Sequence, residues 1–415
     1  MIYLDNAATT PLSREALEAM LPYLTEQFGN ASAVYMPGQL ARKAVEDSRR
    51  TIAATIHAKP AELLFTSGGS ESDNWALIGV SEMAEQILRE RAVRLQGTAQ
   101  TGTAQHQSTA ACRGHIISTA IEHHAILRTL EYLGKRGFDV TLLPVDAQGF
   151  ADPAAVESAV RPDTILISVM TANNEIGTVE PVREIGAIAH AHGILFHTDA
   201  VQAYGHIPLD VSDLQADLMS ASAHKLNGPK GVGFLYVRRG VQLPSFIHGG
   251  EQERGKRAGT ENVAGIAGFA RAAETALREM ESRTETETAV RNHMIRRLLK
   301  ELPGALLNGP EIDTEPAAEY ADKRSIRRLP NNVSIILPGM ESETMLLLLN
   351  ERGIYAGAGS ACASGSLEPS HVLKAIGRTH AEAYGGLRLT ISHTTTCAEA
   401  DQAIDAICAI AAGKR

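Results

Sequence analysis

The chain has 415 residues, of which 44% are hydrophobic and 21% charged, the balance of an ordinary globular protein with material for two to three domains. Its net charge of −9 argues against a nucleic-acid surface, which carries a basic stripe, and no partner of that kind is expected. No apolar run approaches the ~20 residues of a membrane span, Met1-Ile2-Tyr3-Leu4-Asp5 is no signal-peptide start, and four cysteines without a C-x-x-C pair suggest neither a disulfide framework nor structural zinc; a cytoplasmic protein with reduced thiols is expected.

From about Leu63 to Val237, short β-branched runs alternate with helix-period stretches. The expected strands are Leu63–Thr66, Ile116–Thr119, Val140–Pro144, Thr164–Met170, Ile194–Thr198, Leu218–Ala221 and Val232–Val237. Helical stretches such as Val182–His192 lie between most of them. This alternation predicts an α/β fold with a mostly parallel seven-stranded sheet, whose ligand binds at the carboxyl ends of the strands. A long helix is expected from Val263 to Leu302, with Ile266, Ala270, Ala273, Leu277, Met280, Met294 and Leu298 on roughly one face. Short strands (Asn332–Leu337, Leu387–Ile391) and helices (Glu343–Arg352, Ala398–Ala412) then predict a smaller α+β unit. The expected division is a large domain over 16–262 and a small one from 1–15 and 263–415. Gly97–Ala111 is uncharged and rich in Thr, Gln and Ala, so it is expected to be an inserted flexible loop. Glu311–Arg328 is expected to be a loop as well.

Polar clusters fall where the strands end. Thr66-Ser67-Gly68-Gly69-Ser70-Glu71-Ser72 follows a strand and opens a helix. Its glycines let the backbone approach an anion, and the helix start offers free N–H groups; the plainer reading is a capped helix. Ile121-Glu122-His123-His124 could place His123 over a planar ring, or be a surface pair. Asn174, in Thr171-Ala172-Asn173-Asn174-Glu175-Ile176-Gly177, offers donor and acceptor to a carboxylate or a ring oxygen, or makes a turn. Asp199 ends one buried run, and Ser222-Ala223-His224-Lys225 ends the next. A lysine and a carboxylate past neighbouring strands are what pyridoxal phosphate requires: the lysine ties down the aldehyde, and the carboxylate keeps the pyridine nitrogen protonated. Gly249-Gly250 and Arg257-Ala258-Gly259-Thr260 belong to a glycine-hinged polar loop. Gly357–Ser366 is ten small residues with Cys362 in the middle, a setting that gives a cysteine little to be buried with. Cys397 and Cys408 are expected in a helix core, and Cys112 has no assigned role. Arg388 in an alternating strand needs an anion, either a substrate carboxylate or a structural partner.

Taken in order, from Tyr3-Leu4-Asp5-Asn6-Ala7-Ala8-Thr9-Thr10 to about Thr394, these motifs resemble the cysteine desulfurases of the nitrogen-fixation and iron–sulfur-cluster type, fold-type I pyridoxal-phosphate enzymes of the class V aminotransferase branch. The resemblance implies that Lys225 binds the cofactor, Asp199 pairs with its pyridine nitrogen, and Gln202 with its hydroxyl. It implies that His123 stacks on the ring and moves protons. Gly69, Ser70, Ser222 and His224 would hold the phosphate, joined by Thr260 from the second subunit of a homodimer. Asn174 and Arg388 would hold the carboxylate of L-cysteine. Cys362 would take the sulfur as a persulfide, leaving L-alanine, and pass it to an acceptor protein for iron–sulfur clusters or thio-modification. A selenocysteine lyase, another class V lyase or transaminase, and a non-catalytic cofactor-binding subunit are the competing expectations. Gly29-Asn30-Ala31-Ser32-Ala33-Val34-Tyr35 lacks the proline and histidine that usually follow Gly-Asn, so a different active-site entrance is expected, and docking to a scaffold through an extended tail, as in some relatives, is not expected.

Overall fold

In the computed structural model, residues 1–98, 113–312, 326–358 and 369–413 are described, with backbone alone for 88–98. The chain enters through a two-residue strand, β1 (Ile2–Tyr3), and helices α1 (Arg14–Thr25) and α2 (Met36–Thr55). Seven strands follow between helices: β2 (Leu63–Thr66), α3 (Gly69–Thr98), β3 (His115–Thr119), α4 (His124–Lys135), β4 (Asp139–Leu143), α5 (Pro153–Ala159), β5 (Thr164–Ser168), α6 (Val182–Ala191), β6 (Leu195–Asp199), β7 (Leu218–Ser222) and β8 (Gly233–Val237). They form one sheet in the order β2-β8-β7-β6-β5-β3-β4. Only β8 runs against its neighbours, so the mostly parallel sheet is as expected, and the fold is that of fold-type I pyridoxal-phosphate enzymes.

Side chains alternate across this sheet with period two. Phe65, Ile117, Ile167, Met219 and Phe234 face one hydrophobic layer, covered by α2, α6 and the start of α7 (Val263–Glu301). Leu64, Ile116, Leu166, Leu218 and Leu235 face the other, covered by α3 and α4. Burial on both faces explains why these strands read as continuous apolar runs. Phe234 stacks on Phe269 of α7 at 5.9 Å and meets Tyr204 edge-on at 5.3 Å. Truncating Phe269 to alanine would cost on the order of 3–5 kcal/mol.

A second core gathers β10 (Asn332–Ile336), paired antiparallel with β12 (Gly386–Thr390) and with β9 (Leu306–Leu307), and the helices Ser342–Glu351 and Cys397–Ala411. β1 joins it by pairing with β11 (Ile354–Tyr355). Helix α7 serves both cores. Its first half, Ile266 to Ala276, packs on the large sheet, and its second half, Val290 to Leu298, packs in the small core.

Three expectations need correction. Leu277 does not share the buried face of α7: it is 47% exposed, and Met280 is half-buried, because they lie where the helix passes from one core to the other. Cys397 is exposed and Cys408 only half-buried. The apolar stripe of their helix runs through Ala400, Ala403, Ile404, Ile407 and Ile410; Cys397 opens the helix off that stripe, and Cys408 faces Glu301, its Sγ 3.7 Å from the carboxylate. Of the expected loop Glu311–Arg328, residues 313–325 lie outside the described residues; at its end Arg328 is fully enclosed and donates to the carbonyls of Asn308, Pro310 and Asn332. Helix α3 runs on through Gly97 and Thr98, the first two residues of the expected insertion, so only 99–111 of it remain, and these lie outside the described residues.

Candidate active site

Parallel pairing of β3, β5, β6 and β7 sets their carboxyl ends side by side. Asp199 is the last residue of β6, Ser222 the last of β7, and His123 sits just beyond β3. The functional atoms of Asp199, His123 and Asp73 all come within 4.8 Å of one another. Asp199 is 5% exposed, and one oxygen accepts from the Val201 N–H at 2.9 Å. Burial raises its carboxyl to about 6, while that hydrogen bond and the Lys225 charge pull the other way.

Lys225 closes a single turn, Ala223–Lys225, directly after β7. Its ammonium donates to the carbonyls of Ala7 and Ala8, the latter at 2.9 Å. Gln202, also buried, donates to the Ala7 carbonyl at 3.0 Å. His224 meets the Thr9 hydroxyl at 3.1 Å, and its carbonyl accepts from the Thr10 N–H and hydroxyl. The N-terminal run Asp5–Thr10 therefore forms one wall of the site. His123 caps α4, its Nδ1 accepting from the Ala125 N–H at 3.2 Å, which leaves the proton of the neutral ring on Nε2. Burial lowers its pKa to about 4, with Lys225 and His124 adding to the shift, so it is neutral at pH 7.

The anion loop is built as its glycines require. A Cβ on Gly69 would come 2.6 Å from Cγ2 of Val201, closer than real contacts allow. Glu71 in the first turn accepts from the Ser67 N–H and pairs with Arg257 at 2.8 Å. That pair brings the loop carrying Thr260 beside the start of α3. Thr260 and Ser70 are exposed, and Ser222 is buried.

Arg388 has the structural partner that was one of its two sequence alternatives. Its guanidinium pairs with Asp5 at 2.8 Å and donates to the Asn174 carbonyl at 3.2 Å. Its Nε is buried without a hydrogen-bond partner among the described residues. Asn174 is half-buried beside it. Gly357 pairs its backbone in both directions with Arg388, at 3.0 and 2.7 Å. Cys362 lies in 359–368, outside the described residues, as does Cys112.

Sequence reasoning assigned no role to Asp5, Asp73, Glu122 or Glu175. Asp73 is 1% exposed, one of its oxygens has no partner, and burial together with Asp199 holds its carboxyl well above the usual range. Glu122 is fully buried, accepts from the Thr119 hydroxyl and the Met170 N–H, and is raised by burial to about 8. The signal for Asp5 was the small-residue run just after it, and for Glu122 its position between a strand end and His123.

These residues fit pyridoxal phosphate. Asp199 is buried with a single backbone hydrogen bond, the setting in which a protonated ring nitrogen is a suitable partner. The helix start behind Gly69 can take a phosphate, and the Lys225 amine can take an aldehyde. The spacing of Asp73, His123 and Asp199 would also suit a metal ion, but the Lys225 charge acts on both His123 and Asp199 and repels a second cation.

The class-V aminotransferase family profile matches residues 2–93 and 95–402. The chain is 45% identical over 406 residues to a protein of Methanosarcina thermophila named cysteine desulfurase IscS, covering 98% of this chain and 91% of the relative. It is 41% identical to a cysteine desulfurase of Gluconacetobacter diazotrophicus, over 100% and 94% of the two chains. Among solved structures it superposes on a NifS-like protein with a TM-score of 0.84 at 34% identity, covering 99% of each chain. It also superposes on the structure described as SspA in complex with cysteine, with a TM-score of 0.74 at 32% identity, over 95% and 100%. By sequence along nearly its whole length and by fold, the chain belongs to the class-V aminotransferase family.

Proposed function

We propose that this protein is a pyridoxal 5′-phosphate-dependent cysteine desulfurase that converts L-cysteine to L-alanine and takes the sulfur on Cys362. The observation that carries the reading is the Lys225 ammonium beside Asp199 and His123 at the strand ends, with the Arg388 Nε, unpartnered among the described residues, on the same wall.

When bound, the cofactor supplies an electron sink that acidifies the substrate's Cα–H and weakens its Cβ–S bond. Lys225 would hold its aldehyde, Asp199 its ring nitrogen, Gln202 its hydroxyl, and Gly69, Ser70, Ser222 and His224 its phosphate. Asn174 would serve both the ring and the substrate carboxylate. Arg388 would hold the substrate carboxylate, and the Asn174 carbonyl and Asp5 fix the guanidinium plane. The Lys225 amine would be the base for the Cα proton. His123, neutral with its proton on Nε2, is available to hand a proton to the product side. Cys362 attacks as a thiolate: an S–S bond forms, the Cβ–S bond breaks, and its electron pair stays with the three-carbon fragment, which is protonated to alanine.

The reading includes a homodimer. Phe28, Val34, Tyr35 and Met36 are exposed apolar residues in one stretch (78%, 84%, 61% and 66%). Ser32 within it accepts from Gln252 at 3.3 Å, which places this patch next to the loop of Thr260. A second copy covering it would bring Thr260 toward the other subunit's phosphate site. The division into 16–262 and 1–15 with 263–415, a cytoplasmic setting and a sulfur-acceptor protein complete the reading. No helix among the described residues is long and apolar enough to cross a membrane.

The test is direct. Wild type is expected to be yellow and to form alanine and sulfide in equal amounts from L-cysteine, and Lys225→Ala to be colourless and inactive. A colourless wild type with full turnover would overturn the proposal. Turnover confined to selenocysteine would move the activity to a selenocysteine lyase.

A further inference from the structure

Lys225 is held by its backbone as well as by its side chain. The ammonium donates to the N-terminal wall at Ala7 and Ala8. The Lys225 carbonyl lies 3.0 Å from Nε2 of His206. A carbonyl only accepts, so the His206 ring donates from Nε2, and in its neutral form it carries no proton on Nδ1. Burial lowers the His206 pKa, with the Lys225 carbonyl pulling the other way, and the ring is neutral at pH 7.

The backbone brings the two turns together. Gly205, just before His206, has a φ of +84°, and a Cβ on it would come 3.0 Å from Cβ of Leu226, the residue after Lys225. A side chain there would push the His206 turn off the Lys225 turn. Beyond Leu226 the chain reverses sharply: Asn227 has a φ of +63°, and a Cβ on Gly228 would come 2.7 Å from the Ala223 carbonyl. The N-terminal segment fixes that reversal. The Asn227 N–H donates to the Thr10 hydroxyl at 2.8 Å, and the Asn227 carbonyl accepts from the Ser13 N–H at 2.9 Å. The carbonyl of Lys225 itself is taken by His206.

His206 is held in turn by α7, just past the point where the helix leaves the first core. The Thr284 hydroxyl donates to the His206 carbonyl at 3.4 Å. The buried Glu287 carboxyl lies 4.0 Å from the His206 Nδ1. Burial pushes Glu287 up to about 8, with the Arg283 charge pulling the other way, so at pH 7 the two face each other as neutral groups and not as an ion pair. Glu287 also accepts from the N–H of His393, which follows β12 and its Arg388. One imidazole and one carboxyl therefore span from the Lys225 turn to the end of the strand that carries Arg388.

We propose that His206 is a positioning residue for Lys225: its hydrogen bond to the Lys225 carbonyl fixes the turn after β7, and with it the point from which the amine reaches the cofactor aldehyde and the substrate's Cα proton. The second of these tasks rests on the desulfurase reading, and the experiment keeps the two apart. A misplacement of ~1 Å at a reacting group costs on the order of 100-fold in rate, so a loss well above measurement error is expected. His206→Asn carries an amide too short to reach the Lys225 carbonyl, and His206→Gln one that reaches it. Two rates report the amine. In full-length protein stripped of cofactor, the first is the rate at which visible absorption appears at saturating pyridoxal phosphate. In the holoenzyme, the second is the rate of alanine formation in a single turnover with cysteine. Both are expected to fall at least fivefold in His206→Asn and to return to within twofold of wild type in His206→Gln, while KM for cysteine, set by Arg388 and Asn174, stays within threefold. A fall of less than fivefold in either rate overturns the proposal. So does a loss carried by KM alone, and so does a His206→Gln protein as slow as His206→Asn. A yellow wild type that forms no alanine from cysteine would fail the desulfurase reading instead, and the rate of cofactor capture would then decide the role of His206 by itself.

Discussion

Arg388 offers the sharpest quantitative test, because its three nitrogens have separable tasks. One pairs with Asp5, one donates to the Asn174 carbonyl, and Nε is buried and has no partner among the described residues. A charge-assisted hydrogen bond to a substrate carboxylate is worth about 1.5–3 kcal/mol, which is roughly a 10- to 150-fold change in affinity. Arg388→Ala should therefore raise KM for cysteine by roughly that factor. It also strands the Asp5 carboxylate, whose side chain is only 20% exposed, so a loss of melting temperature is expected alongside. Arg388→Lys separates the two effects. It keeps a charge for Asp5 but has no donor at the Nε position, so most of the melting temperature should return while KM stays about tenfold high. The assay is the initial rate of alanine formation across a range of cysteine concentrations, with melting curves on the same samples. A KM within twofold of wild type in both variants would mean that Arg388 serves only the Asp5–Asn174 framework.

Two further outcomes are expected. Cys362→Ser should keep the bound cofactor and its spectral response to cysteine while sulfide release collapses, and wild type treated with cysteine alone should carry its extra sulfur on Cys362 and not on Cys112, Cys397 or Cys408; desulfuration at the wild-type rate would refute the thiolate's role. Glu122, raised by burial to about 8 from an ordinary 4.5, keeps a proton in the folded state that the unfolded chain has released, so its contribution to stability is full below about pH 4.5 and is lost as pH rises through 8. Glu122→Gln should flatten the fall in stability of cofactor-free protein between pH 6 and 8, by at most ~1.4 kcal/mol per pH unit, as read from denaturant melts; equal slopes in the two proteins would show that Glu122 is ionised in the fold.

The sheet was legible because both of its faces are buried. Strands such as Leu63–Thr66 and Leu218–Ser222 carry apolar or small residues on both faces and are buried at every position. Asp199 and Lys225 were legible for a related reason: each is a charged residue immediately beyond such a run. What escaped was set by contacts between distant segments. Nothing near Asp5 in sequence announces a partner at Arg388, and nothing near His206 announces the Lys225 carbonyl. Arg388 read as ambiguous because its environment is split between a structural pair and a donor with no partner among the described residues. The cysteines of the last helix were misplaced because both were assigned to its apolar face, whereas the buried stripe runs through Ala400, Ala403, Ile404, Ile407 and Ile410 and leaves Cys397 exposed and Cys408 half-buried.

Those distant contacts also explain how a crowded site keeps few charges. Burial keeps Glu122 protonated at pH 7 and, together with Asp199, holds the Asp73 carboxyl well above the usual range, and it holds His123, His224 and His371 neutral, with values near 4. If each of these groups ionised, Asp199 would face additional carboxylates and Lys225 additional cations, and neither could be matched to a ligand. With them neutral, the full charges left near the strand ends are chiefly Lys225, Arg388 and their carboxylate partners. A cofactor with an aldehyde and a basic ring nitrogen, and a substrate with a carboxylate, engage those groups. The neutral imidazoles remain as hydrogen-bond donors and acceptors that do not compete for an anion. The desolvation that makes the neighbouring acids and histidines poor ions is therefore what reserves Lys225, Asp199 and Arg388 for the ligands.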